Sequence, residues 1–286
     1  MTENKEKENW DLVIRPRSSL FDLHLKEVWH YKDLISLFIK RDFAAQYKQT
    51  ILGPLWHIIQ PILTTAIFLL LFGKIANIPT DGIKPVLFYM SGITLWNYFS
   101  ACITNTSNTF VINAPIFGKV YFPRLVIPLS VVFSNIIRFG IQFGLLLAAM
   151  IWYHFNGFPM TITLNWLWIP ILILMIAGIS LGLGIIISSL TTKYRDFVIL
   201  VTFVIQLLMY VTPIGYPMSF LAHSKYRTII TLNPLTGIVE SFRFALYGKG
   251  AFDYHGLVYS FGFMIVSLLL GVLIFTKVER SFMDTV

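Results

Sequence analysis

Asn135, Arg138 and Gln142 stand three and four residues apart in an otherwise apolar part of the chain. On a helix that spacing puts all three side chains on one side. A guanidinium flanked by two carboxamides is hydrogen-bonding chemistry. It suits an anionic or hydroxylated substrate, and it equally suits a neighbouring helix. A central arginine in a bilayer costs at least about 2.5–3.5 kcal/mol, so Arg138 must face protein or water. Both readings stay open from the residues alone, and Glu240 is the candidate counter-ion in the substrate reading.

Other reactive chemistry is sparse. The Gly-Lys pairs at Gly73, Gly118 and Gly248 are followed by Ile75, Val120 and Gly250 rather than Ser or Thr, so no Walker A sequence is present. There is no H-E-x-x-H, the six His are scattered, and the lone Cys102 excludes a disulfide framework or a cysteine metal cluster. These absences argue against a self-contained hydrolase, a metal site, or a membrane-embedded glycosyl- or acyltransferase. No Asp or Glu falls inside the expected spans, whereas proton- and sodium-coupled carriers usually bury carboxylates. The driving energy for any transport is therefore expected from outside this chain.

The elements that must position Arg138 are membrane helices. Of 286 residues, 56% are hydrophobic and only 13% charged, against about 25% charged in soluble domains. Mean hydropathy is +0.71. A spanning helix needs roughly 20 mostly apolar residues. Six segments are read as spans: Leu55–Phe72, Val86–Ile103, Leu125–Tyr153, Trp166–Leu190, Phe197–Ile214 and Leu257–Phe275. With both ends placed inside, the inner connections and tails hold 15 Lys/Arg and the outer connections six, as the positive-inside rule requires. The net charge of +8 thus reports topology, not nucleic-acid binding. The N-terminal tail lacks a long apolar run and is not expected to act as a secretory signal.

Four stretches stand out. Tyr31–Lys40 is amphipathic, with Tyr31, Leu34, Ile35 and Phe38 on one face and Lys32, Asp33, Ser36 and Lys40 opposite. Such a helix lies in the headgroup plane, aromatic side down. Its phase fails at Arg41-Asp42-Phe43, so either the helix bends there or Asp42 meets a partner. Asn113–Pro128 is short, aromatic and bounded by prolines, which fits a small helix that docks into another protein; Thr191–Phe197 is a second, smaller contact. Gly215–Gly256 is too polar for a simple span. Within it Asn233 reads as an N-cap, Pro234 as the first turn and Gly248 as the stop of a helix too short to cross a bilayer. A re-entrant pair of helices on the outer side is expected. Trp96, Tyr98, Phe99, Tyr210 and Tyr216 lie near the outer ends of the second and fifth spans, as interfacial belt residues or as faces for sugar rings. Pro61 should bend or loosen the first span.

Taken together, "LFIKRDFAAQYKQTILGPLWHIIQPIL", "FYMSGITLWNYF", "NAPIFGKVYFPRLVIPLS", "TTKYRDF", "YVTPIGYP", "LNPLTGIVESFRFALYG" and "VERSFMDTV" resemble the permease subunits of ABC-2-type exporters, in the branch that handles O-antigen, capsule and teichoic acid. The resemblance covers about Asp11 to Val286. It implies an all-α polytopic protein with six transmembrane helices. A cytoplasmic tail would occupy 1–27, an amphipathic interface helix 28–50, the six-helix domain 51–276 and a cytoplasmic tail 277–286. A coupling helix is implied at about 113–123 and re-entrant helices at about 217–248. The implied assembly is a homodimer with two ABC ATPase subunits, which bind ATP and Mg, in the bacterial inner membrane with both termini cytoplasmic. Its cargo would be a glycan on undecaprenyl pyrophosphate. The alternatives are an ABC-2 exporter of another lipid or drug, or a secondary flippase.

The same resemblance distributes roles. ATPase coupling would fall to Asn113, Pro115, Phe117, Gly118, Lys119 and Tyr121, with Arg195 and Asp196 in the fourth connection. The lipid head would enter at Arg41, Asp42, Tyr47 and Lys48. The glycan channel would include Trp96, Tyr98, Phe99, Arg138, Tyr210 and Tyr216. The outer gate would hold Asn233, Pro234, Glu240 and Arg243.

Overall fold

The computed structural model of the chain describes residues 25–48, 50–117, 119–120, 122–158, 163–194, 196–250 and 252–283. Eleven α-helices follow in order among them: α1 Leu25–His30, α2 Lys32–Tyr47, α3 Trp56–Phe68, α4 Pro85–Ser107, α5 Thr109–Phe117, α6 Val126–Phe155, α7 Trp168–Lys193, α8 Phe197–Val211, α9 Arg227–Thr231, α10 Pro234–Tyr247 and α11 Tyr254–Met283. No strand occurs among the described residues.

Among the described residues, five helical stretches are long and apolar enough to cross a membrane: Gly53–Ile75, Pro85–Ser107, Val126–Phe155, Leu164–Thr192 and Tyr254–Val278. The remaining expected span, the fifth in order, is the 15-residue α8, about 22 Å long at 1.5 Å per residue and short of the ~30 Å hydrocarbon core. Its ends explain the difference. Tyr194 is extended (φ −129°, ψ 101°) and separates α7 from α8. Thr212 is extended too (ψ 139°), because the following Pro213 disfavours helical backbone in the residue before it. The helix therefore stops at Val211 instead of reaching Ile214.

The first span departs from expectation in a different place. Pro61 is accommodated inside α3, and the irregularity comes later, where Leu69–Ile75 continues α3 as a π-helix. At its start, Gly53 takes a left-handed φ of +48° and opens a 3-10 turn through Leu55. The chain turns there between α2 and α3.

α4 is the axis of the fold. In the most apolar 18-residue window of each helix, 78% of α4 is buried within the protein against 17% of the first span, so α4 is core and α3 is periphery. α6 and α7 flank α4, α11 packs along α7, and α10 sits over α4, α7 and α11. In a bilayer, lipid tails are as apolar as side chains, so small residues and close contact hold helices together rather than water exclusion. Gly182 and Gly271 supply that closeness between α7 and α11. A Cβ on Gly182 would stand 2.7 Å from the Ser267 carbonyl carbon and 2.8 Å from the Leu268 nitrogen. Gly182→Ala should therefore push the two helices apart and lower thermal stability in detergent by about 1–3 kcal/mol. An unchanged melting curve would mean that the contact is loose.

The amphipathic α2 follows the expected faces, but its apolar side meets protein. Phe38 is buried, and Tyr31, Leu34 and Ile35 join it against Phe117, Phe122, Val126 and Ile127. α2 therefore rests on α6, with Lys32, Asp33, Ser36 and Lys40 exposed. The phase break at Arg41-Asp42-Phe43 is resolved by partners rather than a bend. Arg41 Nη2 lies 2.8 Å from Asp42 Oδ1, Phe43 packs on Tyr47 at 4.6 Å between ring centroids, and α2 runs unbroken to Tyr47.

Candidate functional site

A continuous polar cleft opens between α2, α3, α4, α5 and α6. Each helix contributes through its own spacing. On α4, Asn97, Ala101, Thr104 and Asn105, with Asn108 at its C-cap, recur every three or four residues and so form one stripe. On α6 the stripe is Val131, Ser134, Asn135, Arg138 and Gln142. α3 adds His57 and Gln60.

The cleft has two chambers. The lower, of about 210 Å³, is lined by Arg41, Asp42, Asn108, Asn113 and Ser134; the upper, of about 330 Å³, by His57, Gln60, Asn97, Tyr98, Thr104 and Gln142. Asn105, Asn135 and Arg138 line both, so Arg138 stands at the junction. From Ile127 to Gln142 the groove follows α6 for about 22 Å.

Its electrostatics are graded. The lower chamber carries two guanidiniums and one carboxylate, while the upper shares only the Arg138 guanidinium and is otherwise lined by amides, hydroxyls, an imidazole and apolar carbon. Arg138 Nη1 donates to Asn135 Oδ1 at 2.9 Å, and Asn97 Nδ2 donates to Gln142 Oε1 at 3.1 Å. These two bonds meet the interhelical and local needs of the carboxamides. They do not fully satisfy Arg138, whose buried Nε has no hydrogen-bond partner among the described residues, and the same holds for His57 Nε2. A buried polar group without a partner costs about 1–3 kcal/mol, so these two atoms, with the Tyr47, Tyr98 and Ser134 hydroxyls that are buried and unpartnered in the same way, mark where a polar ligand gains. Tyr47 lies beside this point with its ring 5.6 Å from His57. Burial pushes its hydroxyl above the ordinary value, with the Arg138 charge working the other way.

Of the residues assigned to lipid-head entry, Arg41 and Asp42 line the lower chamber, Tyr47 flanks Arg138, and Lys48 is exposed beyond the end of α2. Of those assigned to the glycan channel, Tyr98 and Arg138 line the upper chamber. Trp96 and Phe99 are buried on the other side of α4, their rings 5.4 Å apart. They face a gap of only about 10 Å³ against Ile176, Ile214 and Val239. Tyr210 is exposed on α8, and the Tyr216 hydroxyl donates to the Tyr210 and Val211 carbonyls at 3.1 and 3.2 Å. These four are thus not gathered around Arg138 in the single chain.

Glu240 does not serve Arg138 either. It pairs with Arg243, three residues on, at 3.2 Å. Arg243 Nη1 also donates to the Pro213 carbonyl at 2.7 Å and Nη2 to that of Ile214 at 2.9 Å. Its guanidinium carbon lies 3.6 Å from the Phe88 ring centroid. Gly92 permits this, since a Cβ there would come within 2.9 Å of Arg243 Nη2. The helix ends are as expected: Asn233 Oδ1 accepts from the Leu235 N–H at 3.0 Å, and Gly248 closes α10 at φ +63°. Asn233 also donates to Thr212 Oγ1 at 2.8 Å. Asn233 and Arg243 together clamp α10 to the end of α8.

At the end of the molecule that carries α5, the helix runs over Thr109–Phe117, earlier and shorter than the expected 113–123. Asn113 is buried and lines the lower chamber, donating to the Thr109 carbonyl at 3.0 Å. Phe117 is buried among the residues that hold α2. Pro115, Lys119 and Asp196 are exposed, whereas Gly118, Tyr121 and Arg195 lie outside the described residues. The Thr191 hydroxyl donates to the Ser107 carbonyl at 2.7 Å, tying the end of α7 to the end of α4, just before α5.

Sequence reasoning missed His57, Gln60, Asn97, Thr104, Asn105 and Asn108. For α4 the signal was present as polar residues at helical period, hidden by the surrounding aromatic residues.

Residues 33–247 match the ABC-2 type transporter family. Relatives include the O-antigen export system permease protein RfbA of Klebsiella pneumoniae, 32% identical, with 88% of this chain and 94% of that protein aligned. The protein of the same name from Myxococcus xanthus is 25% identical, over 92% of this chain and 98% of the relative. The polysialic acid transport protein KpsM of Escherichia coli is 22% identical, over 87% and 95%. The match extends from within α2 to the last residue of α10 and so takes in the whole polar cleft. The chain belongs to the ABC-2 type transporter family.

Proposed function

We propose that this chain is the membrane-spanning permease subunit of an ATP-driven exporter that moves a lipid-linked polysaccharide, O-antigen foremost, out of the cytoplasm. The relatives bear O-antigen export names at 25–32% identity over nearly their full length, and the chain carries no Walker A sequence. ATP and Mg belong to a separate ABC ATPase, two copies of which serve a homodimer of this chain. α8 acts as a shortened fifth span among six, and α9 and α10 form the outer re-entrant pair. Both termini lie on the cytoplasmic side of the bacterial inner membrane. α5 and the turn after α7, brought near each other by the Thr191–Ser107 bond between the ends of α7 and α4, transmit the ATPase motion. Trp96, Phe99, Tyr210 and Tyr216 serve the glycan path in the assembled dimer.

The observation that carries the substrate reading is the graded cleft. A charged lower chamber suits the pyrophosphate of an undecaprenyl carrier, since arginine forks match phosphate oxygens. Beyond Arg138 the upper chamber is lined by amides and hydroxyls, which suit the sugar that follows. Arg138, unsatisfied at the junction, faces both.

The coupling is tested by purification and cross-linking. An ATPase should co-purify with the chain, and its hydrolysis should depend on it. A cysteine placed at Lys119 should cross-link to that ATPase from the inside. Labelling of Lys119→Cys only from the outside would invert the topology and overturn this assignment.

A further inference from the structure

The lower chamber already contains an anion of its own. Asp42 Oδ1 takes both Arg41 Nε, at 2.9 Å, and Arg41 Nη2, at 2.8 Å. Both donors thus converge on one carboxylate oxygen. Asp42 and Arg138 line the same 210 Å³ chamber. The carboxylate therefore sits with two guanidiniums, one satisfied by it and one holding an unpaired buried Nε.

We propose that Asp42 is a built-in competitor for the anion site, and that a diphosphate binds by displacing it from Arg41 and bridging Arg41 to Arg138. This rests on the reading of the cleft as the head-group site. Two features favour it. Adjacent residues Arg41 and Asp42 are about a quarter to two-fifths exposed, at 38% and 24%, so their pair is weak and exchanges readily with solvent. A diphosphate has more charge and more acceptor oxygens than one carboxylate, and it reaches both arginines where Asp42 reaches one as a hydrogen-bond partner. An internal competitor lowers apparent affinity by the fraction of time it occupies the site. In a transporter that is useful, because a head group held without competition is released slowly.

The test uses the full-length chain in lipid nanodiscs, with inorganic pyrophosphate and farnesyl pyrophosphate as probes and dissociation constants as the readout. Asp42→Asn should tighten pyrophosphate binding about five-fold, which is about 1 kcal/mol. Asp33→Asn, an exposed carboxylate on the same helix, should leave it unchanged. Equal tightening in both would reduce the effect to overall charge and overturn the displacement. So would wild-type affinity in Asp42→Asn. Adding Arg138→Gln to Asp42→Asn should abolish binding. If the double variant binds as Asp42→Asn does, the head-group reading itself fails. Tighter binding of farnesyl pyrophosphate than of inorganic pyrophosphate assigns the site to a lipid carrier. The reverse order leaves displacement standing and removes the lipid as the source.

Discussion

Arg138→Gln should reduce ATP-driven export at least ten-fold while the protein still folds and inserts. The expectation follows from what the substitution keeps and removes. Glutamine retains a donor for Asn135, so the local bond along α6 survives. The Asn97–Gln142 bond that joins α4 to α6 is untouched. What disappears is the positive charge and the donor at Nε, which has no hydrogen-bond partner among the described residues. Hydrogen bonds to a charged partner contribute about 1.5–3 kcal/mol, or roughly ten- to a hundred-fold. Arg138→Lys should recover part of the activity, since it restores charge without the planar fork. Transport into proteoliposomes, with size-exclusion profiles run alongside, checks this. Full transport with Arg138→Gln would reduce Arg138 to interhelical bonding.

Arg243→Met should be among the most destabilising single substitutions in the chain, by about 3–5 kcal/mol, the usual cost of breaking a buried ion pair from one side. Arg243 is buried to 2% exposure and satisfies three groups at once: the Glu240 carboxylate and the carbonyls of Pro213 and Ile214. Those carbonyls belong to the non-helical stretch after α8, where no helix ladder can take them. Burial raises the Glu240 carboxyl above its ordinary range, and the Arg243 charge opposes this. Removing Arg243 strands both carbonyls and an acid in apolar surroundings. The double variant Arg243→Met with Glu240→Leu removes the stranded acid and should regain part of the loss. Thermal denaturation of the detergent-solubilised protein measures both. Equal losses in the single and double variants would mean that the carbonyls, not the ion pair, carry the effect.

Local chemistry made much of this legible before any coordinates. The ends of α10 follow from Asn233, Pro234 and Gly248, because caps and stops act within a few residues. The faces of α2 follow from helical period, as does the common side of Asn135, Arg138 and Gln142. What period cannot say is what a face meets. The apolar side of α2 meets α6 rather than lipid, since the aromatic ring that would suit a headgroup suits Phe117 and Phe122 as well. Glu240 had two arginines to choose between. The nearer one won because the Pro213 and Ile214 carbonyls, thirty and twenty-nine residues away in sequence, hold it in place. The shortness of α8 was written in Pro213, but a run of apolar residues up to Ile214 reads as one span when its terminating proline is not weighed. The α4 wall of the cleft was obscured because its asparagines are interleaved with Trp96, Tyr98 and Phe99.

The most direct measurement reconstitutes the chain with its partner ATPase in proteoliposomes and follows a glycan linked to undecaprenyl pyrophosphate across the bilayer. The expected result is translocation that requires hydrolysable ATP and falls at least ten-fold in Arg138→Gln. Translocation by this chain alone, driven by an ion gradient and indifferent to ATP, would contradict it.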